Sequence, residues 1–404
     1  MANALTKEAR NLLITKFERV YLQLSPDDQA RNSVTLRLAD LLAERARIAA
    51  MEELETGCVD CQAGYEDRKR AIELYQEALP KVAKSKRAQI LAQMGHLLEL
   101  TNRGAEAEQL YKQIIEKEQD PQFVAEAKLS LAEMFFKSRQ YQAAHDYYTQ
   151  VLQEPEAKRK PLAAYRQAWC LFNLSKVEEA IAKIEHILNT PSLLTKGAEG
   201  SVSVDEQYKA EVAKDFSTFI AKKGATLEDI HKVYNLSPEK SKMLNVSYLA
   251  SELERLGQNK LAISAYEFVL NKEQEPKERL LYHIKLAQLM RDQKEIKSSL
   301  ENYKQAVYLQ SSAICQNSCD ENKLLLRKYV LDWNRAEKRM PTVSLLSAYD
   351  IYLDKFPYEV DMALWRIEVL KAHKSWNKVF GALNAIFQIY QQQKPVKVVD
   401  SKSV

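Results

Sequence analysis

The chain is expected to be all-α, a solenoid of antiparallel helix pairs, and three features of its 404 residues predict this. A short phrase recurs, first as RAIELYQEAL around Ala71 and then around Ala107, Ala144 and Ala180, with the alanines 36, 37 and 36 residues apart. It resumes at Ala262 and Ser299. A fixed period of roughly 20 to 50 residues marks a repeat architecture. Apolar residues fall at i, i+3, i+4 and i+7 with no sustained period-two alternation, which is the amphipathic-helix signal. Only 9 Gly and 11 Pro interrupt the chain, too few for a sequence rich in turns.

In chain order, residues 5–24 and 33–54 read as helices, with Ser25 to Asp28 (SPDD) as the turn and helix-start signal between them. An insertion containing TGCVDCQAGY completes an N-terminal region, 1–66. Residues 67–189 form the first array. Twelve residues before the phase position of five repeats stands a small residue inside an apolar helix: Gly95, Ala132, Ala168, Ala250 and Ala287. Each unit is therefore two helices whose backbones approach at the small residue and the phase alanine. Four residues after the alanine come Tyr75, Tyr111, Tyr148, Tyr266 and Tyr303, with Ile184 in the fourth repeat; these are expected to fill the space between adjacent pairs. Residues 190–205, rich in Gly and Ser, read as a loop or elbow. Residues 206–310 hold a degenerate repeat split at Gly224 and two further pairs. Paired helices occupy 311–390, and 391–404 is a polar tail.

Charge is nearly balanced, 59 Lys plus Arg against 55 acidic residues. The basic runs Lys81 to Arg87 and Glu156 to Pro161 are short and fall at helix joins, unlike a nucleic-acid surface, which needs clustered cations with stacking aromatics. No nucleic-acid partner is expected. No run of 18 apolar residues suggests a membrane span, and the start MANALTKEARNLL has no basic-then-apolar leader. Phosphate-loop, HExxH and GxSxG motifs are missing, and the six histidines are scattered without metal-ligand spacing. The chain is read as non-enzymatic, with no cofactor and no metal.

The repeats resemble the tetratricopeptide family, whose pattern of a small residue, a large one, an alanine and an aromatic stands here at Ala132, Phe135, Ala144 and Tyr148. The resemblance covers about 65–310. It implies a right-handed superhelix whose concave groove is lined by the first helix of each pair. Counting the small residue as position 8, groove positions are Leu162, Tyr165, Trp169, Phe172 and Asn173, with Arg166 at the edge. The preceding repeat adds Glu133 and Phe136, and the one before it His96. The alternative is that Trp169 and Phe172 pack only between helices. The Lys and Asn pair with which some members clamp a C-terminal carboxylate is replaced by Ala92 and His96, or Leu129 and Glu133, so an apolar or aromatic peptide, or a partner helix, is expected instead.

Two longer stretches are similar to repeats of envelope proteins. DFSTFIAKKGATLEDIHKVYNL, with the following LASELERLGQNKLAISAYEFVL, resembles long multi-repeat envelope proteins of gliding and predatory bacteria. AYDIYLDKFPYEVDMALWRIEVL is similar to repeats of periplasmic outer-membrane assembly lipoproteins. The resemblance implies a scaffold in a cell-envelope or motility complex, located in the periplasm or, alternatively, the cytoplasm. A tethering or accessory subunit of a multi-component enzyme, or a cytoplasmic adaptor, is the alternative function.

Five cysteines stand apart from the repeat. Cys58 and Cys61, and Cys315 and Cys319, form two close pairs, and Cys170 is alone in a first helix. Two local disulfides, with Cys170 a free buried thiol, compete with the reading that all five are ordinary thiols. The choice bears on the compartment, since disulfides persist where the environment oxidises.

Overall fold

The computed structural model describes residues 6–58, 62–195, 203–273, 275–310 and 319–393. These contain nineteen α-helices and no strand. The chain divides into two compact units, 1–208 and 209–404.

In the first unit, α1 (Lys7–Gln23) packs on α2 (Arg31–Glu55), and α2 pairs with α3 (Tyr65–Ala78). Then follow the pairs α4 (Lys84–Glu99) with α5 (Gly104–Lys117), α6 (Pro121–Lys137) with α7 (Tyr141–Gln153), and α8 (Lys160–Asn173) with α9 (Val177–Leu188). The pairs after α3 each close through a short turn, so their two helices run antiparallel. Starts are specified locally. Thr6 caps α1 by accepting from the Ala9 N–H, and Asp120 caps α6 by accepting from the N–H groups of Gln122 and Phe123, with Pro121 at the first helical position. Gly64, in the left-handed region at φ 77°, opens α3 where a Cβ would sit 2.5 Å from the Ala46 Cα, so the backbone of the insertion's end lies directly on α2.

Six of the turns between consecutive helices follow one design. Asn102, Arg139, Ser175, Gly257, Lys294 and Lys374 all have positive φ, from 54° to 74°. The N–H of the next residue donates back across the turn, as from Arg103 to Leu98 O (2.9 Å), Gln140 to Phe135 O (2.8 Å) and Glu295 to Met290 O (2.8 Å). This is the Schellman ending of a helix, which favours Gly at the left-handed position. Only Gly257 supplies one.

The second unit contains α10 (Glu206–Lys223, which begins three residues before the unit boundary), α11 (Leu227–Leu236), α12 (Lys242–Arg255) paired with α13 (Asn259–Leu270), and α14 (Pro276–Asp292) paired with α15 (Ile296–Leu309). Then come α16 (Cys319–Ala336), α17 (Val343–Lys355), α18 (Val360–Ala372) and α19 (Trp376–Gln393). The break at Gly224 (φ 94°) is followed by a capping box between Thr226 and Asp229 that starts α11. The tail expected from 391 begins as helix, since α19 runs to Gln393; the remainder, 394–404, lies outside the described residues.

All five spacer tyrosines are at most 3 % exposed. Their hydroxyls carry a detail the period does not encode. Tyr75 donates to Asp40 (2.6 Å), Tyr111 to Glu99 (2.7 Å), Tyr148 to Glu133 (2.5 Å) and Tyr266 to Glu254 (3.4 Å), in each case a carboxylate on the first helix of the same pair. Tyr303 instead donates to the Leu326 carbonyl (3.1 Å) and stacks on Tyr329 with centroids 4.4 Å apart. Ser299, which takes the place of a phase alanine, donates to Ala287 O (2.6 Å) and meets the Tyr329 hydroxyl at 2.7 Å. Its hydroxyl thus bonds the small residue of the partner helix, and a buried polar group is satisfied.

Candidate functional site

The first helices α4, α6 and α8 carry the groove residues expected from the sequence, and the structure sorts them into three groups. The first spans α6 and α8. The Arg166 guanidinium lies 4.9 Å from the centroid of the Phe136 ring and pairs with Glu133 at 3.5 Å, a separation at which Nε makes no hydrogen bond. Glu133 also accepts from Tyr148, so this carboxylate is held by two neighbours. Phe136 meets Tyr141 edge to face at 5.6 Å. The cluster is built as an internal joint between adjacent pairs, with Arg166 covering an aromatic face as a half-buried cation does.

The second group is the end of α8. Trp169 and Phe172 are half-buried and meet edge to face at 5.5 Å, while the Asn173 amide donates to the Trp169 carbonyl (2.7 Å) and so tidies the last turn of its own helix. Tyr165, one turn earlier, meets Tyr208 at 5.9 Å, and the Tyr208 hydroxyl donates to Pro161 O at 3.3 Å. Leu162 is half-buried.

His96 belongs to neither group. It is exposed and lines a cavity of about 730 Å³ between α4, α6 and the α7–α8 turn, with Gln93, Gln122, Phe123, Glu126 and Arg159. It also lines a second cavity of about 440 Å³ between α2 and α4, whose walls include Ala43, Arg47, Met51, Leu54, Leu97 and Leu100. Gln93 and His96 are shared, so the two cavities adjoin along α4. Met51, Leu54 and Leu100 are 51, 62 and 47 % exposed, an apolar floor open to solvent. The α2 contribution was not anticipated. Its signal is the 25-residue length of α2, well beyond the 12 to 17 residues of the helices in the following pairs, with Met51 and Leu54 three apart near its end.

Cys170, between these groups, is a fully buried free thiol, and burial followed by the nearby Glu133 carboxylate pushes its pKa up to about 12. It stays protonated at physiological pH and is no nucleophile. Cys58 and Cys319 are disulfide-bonded, whereas Cys61 and Cys315 lie outside the described residues. Among the described residues there is no group of three or more His, Cys, Asp or Glu able to hold a metal, and no helix long and apolar enough to cross a membrane.

No family model and no curated protein matches the chain. Among solved structures, it is similar to the C-terminal part of a TPR repeat-containing protein from Cytophaga hutchinsonii, at 15 % identity over 66 % of this chain and 96 % of that one, TM-score 0.30. It is also similar to a signal transduction ATPase with numerous domains carrying a tetratricopeptide repeat sensor, from Pyrococcus horikoshii, at 12 % identity over 96 % of this chain and 56 % of that one, TM-score 0.32. The helix-pair architecture rests on the packing within the chain itself.

Proposed function

We propose that the protein is a non-enzymatic scaffold that holds a peptide or a partner's helix along the first helices of its N-terminal unit. One observation carries this reading: two adjoining cavities meet at Gln93 and His96 on α4, one floored by exposed Met51, Leu54 and Leu100 and the other rimmed by polar side chains. Concave, mostly apolar surfaces with a few convergent polar groups are where ligands settle, and repeat arrays present such surfaces without needing any catalytic residue. The half-buried Trp169, Phe172, Tyr165 and Arg166 on α8 extend the same face in residue types that dominate binding hot spots.

We further propose an oxidising compartment, consistent with the bonded state of Cys58 and Cys319 and with the resemblance to envelope repeats, and hence a periplasmic role in an envelope or motility assembly. The proposed pairing is Cys58 with Cys61 and Cys315 with Cys319.

The test is site-specific photo-crosslinking in the native cell. A photoreactive residue at His96 or at Leu54 should trap one protein partner, and one at Gln109 on the exposed side of α5 should not. Trp169→Ala and Met51→Glu should weaken that trapping while leaving helical circular dichroism unchanged. Arg166→Glu is a poor probe, because it would set a second carboxylate against Glu133. Equal crosslinking from Gln109 and His96 would remove the groove as the site; trapping only a kinase, protease or synthase would favour the accessory-subunit reading.

A further inference from the structure

The helix α19 has two apolar seams, one packed in the core and one exposed. Val379 is 5 % exposed, and Val379, Ala382 and Ile386 belong to the core that α18 shares. Another line runs through Trp376, Phe380, Leu383, Phe387 and Tyr390, which are 53, 64, 43, 56 and 59 % exposed. Successive members are four, three, four and three residues apart. That is the 3.5-residue spacing of a coiled-coil seam, in which each side chain enters a hole formed by a facing helix.

We infer that this seam docks against the same seam of a second copy of the chain, antiparallel, about a two-fold axis through Leu383. The side-chain order identifies the occupant. Read in either direction it is aromatic, Phe, Leu, Phe, aromatic, so an antiparallel copy sets Trp376 against Tyr390, Phe380 against Phe387, and Leu383 against itself. A two-fold interface requires this self-complementarity. Charge agrees, since Lys378 is the only ionisable side chain of α19 apart from the Tyr390 phenol, and no row of like charges opposes the approach. Gly381 adds a separate indication. A Cβ there would meet nothing within 4 Å, so nothing in this chain requires a glycine that costs its helix about 1 kcal/mol relative to Ala. With Ala385 one turn later, it leaves a smooth flank beside the seam where a second backbone can come close.

The area suffices. Aromatic side chains bury roughly 150 to 250 Å² each, so at the observed exposures the seam offers about 500 Å² per copy. The pair then buries about 1,000 Å², the size at which a specific interface becomes credible.

Light scattering of the full chain across the micromolar range should show the mass of a dimer. The double variant Phe380→Glu, Phe387→Glu, which opposes carboxylates across the axis, should give a monomer with unchanged circular dichroism, its dissociation constant raised at least about a hundredfold. Leu383→Cys should cross-link to its counterpart under mild oxidation. Trp376→Cys should not, because its counterpart lies about 20 Å along the axis at 1.5 Å per residue. A monomeric native chain, a dimer that survives the double variant, or cross-linking at 376 in preference to 383 would each overturn the inference.

Discussion

Gly95→Ala is the sharpest test of the register, because two effects of opposite sign meet at one atom. Gly95 lies inside α4, and in an ordinary helix Ala would stabilise it by about 1 kcal/mol. Here the added Cβ would sit 2.5 Å from Cε1 and 2.7 Å from Cζ of Tyr111, about an ångström inside the carbon contact distance of roughly 3.5 to 4.0 Å. The ring cannot swing clear. It is 2 % exposed, and its hydroxyl is held by Glu99 at 2.7 Å. Overpacking of this kind costs about 1–3 kcal/mol, so the net expectation is destabilisation of about 1 kcal/mol. Arrays need not unfold in one step, so the assay is hydrogen exchange of the α4 and α5 amides, supported by thermal melting. In a Tyr111→Leu background the clash disappears and the same substitution should become stabilising by about 1 kcal/mol, a change of sign that a double-mutant cycle isolates. If Gly95→Ala stabilises the native chain, the Tyr111 ring does not lie on the α4 backbone and the phase assignment fails.

Tyr148→Ala should cost about 3–5 kcal/mol for a large core truncation, whereas Tyr148→Phe should cost only about 1–2 kcal/mol, because Glu133 keeps Arg166; equal losses in denaturant melts would mean that the hydroxyl dominates. Arg139→Gly, Ser175→Gly and Lys294→Gly should each raise the melting temperature through a gain of about 1 kcal/mol, since each relieves a left-handed residue that has a Cβ. Burial raises the pKa of Tyr329 from 10.0 to about 12, so its neutral form stabilises the fold fully below pH 10.0. That contribution is lost as pH rises through about 12; in an alkaline titration the part of the tyrosinate absorbance that Tyr329→Phe removes should therefore appear together with the loss of helicity, and its appearance near pH 10 with helicity retained would contradict the burial. Alkylation of the denatured chain without reductant, read by intact mass, should modify Cys170 alone; five modified cysteines would remove the disulfides and the case for the periplasm.

The legible part of the fold was the part that repeats. Helix pairs need a small residue, an alanine and a spacer at fixed intervals because backbones must approach at the same place in every unit, and Gly95, Ala107 and Tyr111 stand where that spacing puts them. The tyrosine–carboxylate bonds were hidden for a physical reason. Glu99 lies 12 residues before Tyr111 and Glu254 12 before Tyr266, but Glu133 lies 15 before Tyr148 and Asp40 35 before Tyr75, so the carboxylate reaches the hydroxyl from three registers and leaves only a broken periodic mark. The left-handed turn residues are hidden likewise. Only Gly257 and, less strongly, Asn102 are residue types that the conformation favours, and at the other four the strain is held by the packed helices on either side.

For the candidate site, the family pattern located first-helix positions but not what those positions do once neighbours arrive. Glu133, Phe136 and Arg166 pack against one another, and Asn173 turns back onto its own helix. The open apolar floor comes from Met51 and Leu54, on a helix outside the repeat phase. Surface positions of a repeat vary freely because no adjacent pair constrains them, so a period cannot say which are left empty; only the packed neighbours decide that. The same argument distinguishes the two seams of α19. Val379, Ala382 and Ile386 follow from contact with α18, whereas the aromatic line at the same spacing on the outward side is exposed. An exposed line at the spacing of a coiled-coil seam is suited to a facing helix, and a line that reads alike in both directions is best matched by its own copy.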